Sequence, residues 1–203
     1  MRFILRRETD FILPSSETII DGRILMVLKT GFIRGTVVLP QFLIDYFGKQ
    51  VTSTKTNIFF KRGDMVLETL MSGNNYNILI EKTEVKNLDG INRKIVKLAL
   101  IKHYKLLAAD NELDDFAKVA GVDVLKLKQL TISLKHAFFK GDIIHLKPIK
   151  KGKHEGEGIG YLDDNSRVVI EGAATSLGKV VRCEVNSVLD IPNGRVIFTK
   201  IVQ

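Results

Sequence analysis

A single cysteine, Cys183, is all the thiol chemistry that this chain of 203 residues possesses. One thiol cannot build a disulfide framework, a zinc ribbon or a cysteine-ligated iron–sulfur cluster, because each takes several thiolates from one chain. Long apolar runs are lacking too: no stretch approaches the roughly 20 residues of a membrane-spanning helix, and the best candidates are cut by Arg23, Lys29 and Lys97. Met1 to Arg7 are basic, but no apolar stretch with a small-residue cleavage site follows them, so no secretory signal is expected. Internal repeats and low-complexity tracts are absent. These absences lead to the expectation of a soluble protein in a reducing compartment, the cytoplasm.

The residues that are present can bury one or two cores, with 45% apolar and 27% charged side chains. Lys and Arg number 31 against 23 Asp and Glu, a net charge of +8 that favours an anionic partner such as nucleic acid. The excess is uneven. Residues 1–140 hold 22 basic and 15 acidic side chains, whereas residues 141–203 hold 9 and 8.

From Phe11 to about Lys140, β-type runs alternate with helix-type segments, the pattern of a parallel sheet covered by helices. Asp21 is expected to cap a helix through Leu28, with Gly31 beyond its end, and Pro40 to open another that stops at Gly48. Gly35–Leu39 is the strand between them. Ile91, Ile95 and Leu98 give a helix with one buried stripe, and Arg93, Lys94 and Lys97 decorate its other faces. Strand Tyr104–Ala108 follows; Asn111 then caps a helix running to Gly121, Val122–Leu125 is a short buried strand, and Leu127, Leu130 and Leu134 mark a last helix.

Beyond Lys140 the period changes from 3.6 to 2. Ile143–Leu146, Ile159–Leu162, Val168–Ile170, Val180–Val188 and Val196–Val202 read as five short antiparallel strands, a small barrel of the OB kind. Asp163-Asp164-Asn165-Ser166 and Pro192-Asn193-Gly194 supply turn chemistry, the latter the strongest hairpin signal in the chain. The division is therefore 1–140, α/β, and 141–203, all-β.

Gly156-Glu157-Gly158-Ile159-Gly160 is not a phosphate-cradling loop, since it leads into a strand rather than a helix. Its alternate glycines serve either a close backbone approach or a barrel bend, with the bend preferred. His103, His136, His145 and His154 have neither cysteine partners nor an i, i+4 pairing, so no zinc site is expected. Cys183 alternates with Val181 and Val185 as a small core residue. Phe198 shares a strand face with Val196, Lys200 and Val202, and the core is its expected place; Tyr161 is open between core and stacking platform.

Two longer stretches carry a family resemblance. Lys151-Gly152-Lys153-His154-Glu155-Gly156-Glu157-Gly158-Ile159-Gly160-Tyr161-Leu162-Asp163-Asp164, Val168-Val169-Ile170-Glu171-Gly172, Gly178-Lys179, Val185-Asn186-Ser187-Val188-Leu189 and Gly194-Arg195-Val196-Ile197-Phe198 resemble a TRAM domain. Ile19-Ile20-Asp21-Gly22-Arg23-Ile24, Gly35-Thr36-Val37-Val38-Leu39-Pro40-Gln41-Phe42-Leu43-Ile44-Asp45, Arg62-Gly63 and Lys94-Ile95-Val96-Lys97-Leu98-Ala99 resemble the PIN domain of bacterial PIN–TRAM proteins. Longer relatives of that kind carry membrane helices ahead of the PIN domain; the short lead before Ile19 gives the expectation of a soluble version.

The resemblance implies a nuclease fold whose site hydrolyses RNA by gathering three or four carboxylates around Mg²⁺ or Mn²⁺. The matching positions here are mostly not acidic. The first Asp falls on Pro14 or Ser15, the Glu on Tyr46, and the Asp that opens the next helix on Asn92. Only Asp110 remains, preceded by Ala108 and Ala109 where Thr-Asn is usual. Glu17, Asp21 and Asp45 are poor substitutes, Asp21 being explained as a cap and Asp45 lying one position off register. No cofactor is expected, with Mg²⁺ or Mn²⁺ and the Asp110 remnant relevant only if nuclease activity survives.

The expected RNA contacts are Lys147, Lys150, Lys151, Lys153, His154, Arg167, Lys179, Arg182, Arg195 and Lys200, led by the four lysines within seven residues from Lys147 to Lys153. The expected function is RNA binding by occupancy, on structured RNA such as ribosomal RNA, the ribosome or tRNA. Two alternatives are a surviving metal-dependent endoribonuclease and a protein-binding scaffold that self-associates through the PIN-like domain.

Overall fold

The computed structural model describes residues 10–51, 57–73, 76–191 and 194–202, which fall into two compact units divided between Lys128 and Gln129. In the first unit, β1 (Phe11–Pro14), β2 (Thr36–Pro40), β3 (Asn77–Glu81), β4 (Lys105–Ala108) and β5 (Val124–Lys126) form a parallel sheet in the order β3-β2-β1-β4-β5. Its helices are α1 (Ser16–Asp21), α2 (Arg23–Lys29), α3 (Gln41–Val51), α4 (Ile58–Ser72), α5 (Ile91–Lys102) and α6 (Asn111–Val119); α7 (Leu127–Ser133) straddles the division. The three inner strands are apolar on both faces because helices cover both: Ile12, Leu13, Val37, Val38, Leu39, Leu106 and Leu107 are at most 1% exposed. Along α5, Ile95, Leu98 and Ala99 are buried and Arg93 and Lys97 exposed, as the 3.6 period requires.

Helix starts differ from the sequence reading in three places. The helix expected through Leu28 is α2, whose N-cap is Gly22 at φ 78°; Asp21 ends α1, and its Oδ1 accepts from Arg23 N at 3.2 Å at the start of α2, while the side-chain cap of α1 is Ser15, whose Oγ accepts from Thr18 N at 3.1 Å. Pro40 closes β2, and Gly48 lies within α3, which continues to Val51. Asp110, not Asn111, caps α6 by accepting from Leu113 N at 2.7 Å. Helix α4 and strand β3 were not anticipated from the sequence.

The second unit contains β6 (Ile143–Leu146), β7 (Lys150–Lys151), β8 (Gly158–Tyr161), β9 (Arg167–Glu171), β10 (Val181–Ile191) and β11 (Gly194–Ile201), in the order β6-β10-β11-β9-β8-β7. The sheet is mixed, not wholly antiparallel, because β9 runs parallel to β11. Ile144, Leu146, Val168, Ile170, Ala173, Cys183, Val185 and Ile197 form its core, and burial raises the pKa of the Cys183 thiol. Pro192 and Asn193 of the expected hairpin turn lie outside the described residues, as do Met1 to Arg7.

The unit also gathers residues 129–140, which the sequence reading had grouped with the α/β half: Phe138 packs on the β core and Lys135 Nζ donates to Asp164 O at 2.9 Å. The alternate glycines of β8 serve close approach. A Cβ at Gly160 would meet Leu146 Cδ1 at 2.6 Å and Lys147 O at 3.0 Å, and one at Gly158 would meet Ala173 Cβ at 2.8 Å. The sheet curls until the segment after β6 lies against the bare face of β8.

In the first unit, Glu81 is a hub with side-chain exposure of 12%. Its carboxylate accepts from Thr83 Oγ1 (2.7 Å), Thr83 N (2.9 Å) and Tyr104 Oη (2.8 Å), with Lys102 Nζ at 3.8 Å. The Thr83 hydroxyl does most to hold its pKa at about 2; burial opposes this, and Tyr104, the Thr83 N–H and Lys102 add to it. Because the folded value lies below the ordinary 4.5, this contribution is fully present above pH 4.5 and is lost as pH falls towards 2. Glu81→Gln is expected to lower stability by about 1–3 kcal/mol at neutral pH. In urea titrations followed by circular dichroism, that difference should shrink as pH drops through the same window.

Candidate functional site

The positions expected to hold a metal lie after β1 and β4, on α3 and at the start of α5. Ser15 is fully buried and committed to the backbone: its N–H donates to Leu107 O at 2.9 Å, and its Oγ caps α1 and lies 3.0 Å from Thr18 Oγ1, which donates to Leu107 O at 2.8 Å. Asn92 is held by its neighbours. Its Nδ2 donates to Glu17 Oε1 at 2.9 Å, and the Ser16 hydroxyl, 2.8 Å from Asn92 Oδ1 and 3.0 Å from Glu17 Oε2, donates to one of them at a time. Glu17 Oε1 is thus engaged throughout, and Oε2 whenever the Ser16 hydroxyl turns to it.

Tyr46 packs its ring edge-on against Phe47 and Phe60, and Asp45 accepts from Gln41 Nε2 at 2.9 Å. Asp21 is occupied by Arg23 at 2.6 Å. Asp110 spends one oxygen on its cap, while its buried Oδ2 has no partner. One orphaned carboxylate oxygen is therefore what the expected centre offers. Among the described residues no group of three or more His, Cys, Asp or Glu side chains is placed to hold a metal ion. A hard divalent cation needs about six oxygen ligands in close geometry, and this donor set does not fit one. The Ser15-Ser16-Glu17-Thr18 run carried the signal for the network found here, since a serine three residues before a threonine at a strand end is cap chemistry.

In the second unit the pairing sorts the expected cations by face, because directly opposed residues of neighbouring strands point the same way. Lys150 opposes Ile159, Tyr161 opposes Arg167, Arg167 opposes Val196, and Phe198 opposes Val169. Lys150, Tyr161, Arg167, Phe198 and Lys200 thus share the outward side with Glu171, which opposes Lys200, and with Ile159, which is buried there, while Val168, Ile170, Ile197 and Thr199 fill the inward one. Lys150 Nζ sits 6.0 Å from the Tyr161 ring centroid, within cation–π range. Phe198, expected in the core, is 38% exposed and Tyr161 is 43% exposed, so both present ring surface outward. The sequence reading missed Phe198 because Val196 and Val202 share its period; its neighbours Ile197 and Thr199 are the ones that turn inward.

Arg182 lies opposite His145 on the same outward side, and Lys200 Nζ is 3.8 Å from Glu184. Lys147, Lys151, Lys153, His154 and Lys179 are exposed, in or beside the loops. The loop of Lys153 and His154 is pinned by Glu157, which accepts from His154 N at 3.0 Å and, through its backbone, from Gly152 N at 2.8 Å.

Arg195 departs from expectation. Its guanidinium is 11% exposed, donates to both Asp190 oxygens at 2.6 and 3.1 Å and reaches His136 O at 2.8 Å. These contacts make it a clamp within the unit and not an outward cation. The Asp190 partner raises its pKa, as it in turn lowers that of Asp190.

The chain thus joins a five-stranded parallel sheet between helices, a PIN-like layout, to a small curled β unit. Residues 148–190 match the TRAM domain family model. Over 184 residues, 90% of its length, the chain is 32% identical to an uncharacterised PIN and TRAM-domain containing protein of Synechocystis sp., and over 91% of its length 30% identical to another of Bacillus subtilis. It spans about half the length of these relatives, 51% in each case. A domain of a functionally unknown protein from Methanocaldococcus jannaschii superposes with TM-score 0.50 and 19% identity, over 66% of this chain and 98% of that one, which supports the fold. No helix among the described residues is long and apolar enough to cross a membrane.

Arg195→Ala is expected to lower the melting temperature of the β unit, at a cost of about 1 kcal/mol for the loss of a bidentate pair whose guanidinium is buried and whose carboxylate is half exposed. Arg195→Lys should recover only part of it, because an ammonium cannot span both Asp190 oxygens. Thermal melts of the two variants check this.

Proposed function

We propose that this chain binds RNA and acts by occupancy, through the outward face of its TRAM domain, and that its PIN-like unit does not cut RNA. The arrangement of Lys150, Tyr161, Arg167, Phe198 and Lys200 on one sheet face supports this most strongly. Exposed rings give bases a stacking surface, and the cations between them attract the backbone phosphates. The loop lysines Lys147, Lys151 and Lys153 extend the positive charge beyond the sheet edge. The favoured targets are structured RNAs, ribosomal RNA or tRNA, met in the cytoplasm.

Loss of cleavage follows from the donors described above. A capping hydroxyl, a hydrogen-bonded amide and a packed phenol stand where ligating carboxylates would be needed, and one remaining acid cannot fix two ions or orient an attacking water. RNA incubated with the purified chain and Mg²⁺ or Mn²⁺ should remain intact. Cleavage that disappears in Asp110→Asn would overturn this part of the reading.

Reversing Lys150, Lys151 and Lys153 to Glu is expected to weaken RNA binding by well over tenfold and to flatten its salt dependence, since several phosphate attractions become repulsions. All three are exposed, so the melting temperature should change little. The matched control is Lys61, Lys97 and Lys118 to Glu, exposed helical positions of the first unit. Equal losses in the two triple variants, measured by fluorescence anisotropy across a salt series, would show that net charge alone drives association.

A further inference from the structure

The outward side of the β unit is ordered in rows, because pairing sets residues of neighbouring strands directly opposite one another. A first row runs Lys150, Ile159, Val169, Phe198 and Ser187 across β7, β8, β9, β11 and β10. To one side of it a second row runs Tyr161, Arg167, Val196 and Leu189 across β8, β9, β11 and β10. To the other side a third runs Glu171, Lys200, Glu184 and Ile143 across β9, β11, β10 and β6. We propose that Glu171 and Glu184 decide what this side accepts: they close the third row to phosphate, so that RNA crosses the strands along the other two rows as a short unpaired stretch, an assignment that rests on the RNA-binding reading.

Charge separates the rows. The first and second carry Lys150 and Arg167 and no acid. The third carries two carboxylates around one ammonium, and Lys200 Nζ lies 3.8 Å from Glu184 with Glu171 opposite it on the other neighbouring strand. Lys200 is therefore balanced by its own neighbours, and a phosphate laid along this row meets net repulsion. Past the second row the chain turns at Asp163-Asp164-Asn165-Ser166, where Asp163 is exposed. Acids thus bound the two open rows on both sides. The cationic approach is over β7, where Lys147, Lys151 and Lys153 are exposed.

The rings set the form of RNA. Tyr161 on β8 and Phe198 on β11 are rooted two strands and one row apart, about 12 Å by the spacings of a sheet, whereas stacked bases step by about 3.4 Å. Arg167 and Val169 of β9 occupy the ground between them. One base on each ring therefore requires the nucleotides that join them to be unstacked, which a duplex does not supply. Val169 and Val196 are half-buried and Leu189 is exposed, so much of the remaining surface of these rows is apolar and suits base faces better than a run of phosphates.

The test is fluorescence anisotropy of the full chain with two fluorescein-labelled probes, a single-stranded RNA of about 12 nucleotides and a blunt RNA duplex of the same length. The single strand should bind about tenfold or more tighter than the duplex. Tyr161→Leu and Phe198→Leu should each weaken it about fivefold or more, and Lys200→Ala about twofold or less. Glu171→Gln/Glu184→Gln should tighten binding several-fold, beyond the control Glu68→Gln/Asp115→Asn, which removes the same charge from exposed helical positions of the first unit. In the glutamine pair Lys200→Ala should now cost several-fold, because the ammonium has been released from its neighbours. Thermal melts accompany each variant; should the pair melt early, Glu171→Gln alone, at an exposed position, should give the same gain at about half its size on a logarithmic scale.

A glutamine pair that gains no more than its control, or a Lys200→Ala cost that is the same in both backgrounds, would overturn the closure of the third row while RNA binding stands. A duplex bound as tightly as the single strand would likewise overturn the assignment alone. Unchanged affinity in both ring variants would remove RNA from this side of the sheet, and failure of the wild type to bind either probe would overturn RNA binding itself.

Discussion

The PIN-like unit depends on one buried junction, where the chain leaves β1 and turns into α1. The Ser15 N–H and the Thr18 hydroxyl both donate to the carbonyl of Leu107 on β4, while Ser15 Oγ closes the helix start. A parallel sheet must release its helices from the carboxyl ends of its strands, and a buried backbone group left unpaired there would cost more than the bond itself contributes. This junction therefore uses its side chains to hold the fold. A carboxylate at Ser15 would bring a desolvated charge into this buried junction, which ties the chemistry of the site to the stability of the unit.

The same tension between holding structure and meeting a ligand runs through the β unit. Arg195 and Glu157 are spent inward, one clamping Asp190 and His136 O and the other pinning the loop of Lys153 and His154. Other cations remain at the surface. Because the sheet is curled, its outward face is convex, and Tyr161 and Phe198 stand on it with cations beside them instead of packing into a core already filled by Val168, Ile170 and Ile197. Positive charge alone would attract any polyanion; rings placed between the charges add a preference for bases that can unstack.

Much of this was legible from pattern. The stripe Ile91, Ile95, Leu98 located α5, and the change of period after Lys140 located the β strands, since both report directly on which faces are buried. Caps were misplaced by one to several residues because Ser15, Asp21, Asp110 and Asn111 all have cap chemistry, and only the path of the chain decides among them. Helix α4 escaped notice although Val66, Leu67 and Leu70 are buried, because its other face shows Ile58, Phe59 and Met65 to solvent and blurs the period. The parallel pairing of β9 with β11 could not be read at all, for nothing in a single strand reports its partner's direction. Arg195 and Phe198 exchanged their expected roles for a related reason: their surroundings come from strands and loops distant in sequence.

The core position of Cys183 has a practical consequence. As the one thiol of the chain, fully buried and with its ionisation suppressed by that burial, it reacts with an alkylating reagent only when the β unit opens. The native protein thus carries its own clock. The rate at which iodoacetamide labels it counts openings of the TRAM domain alone, in the presence of a second unit that has no cysteine to contribute.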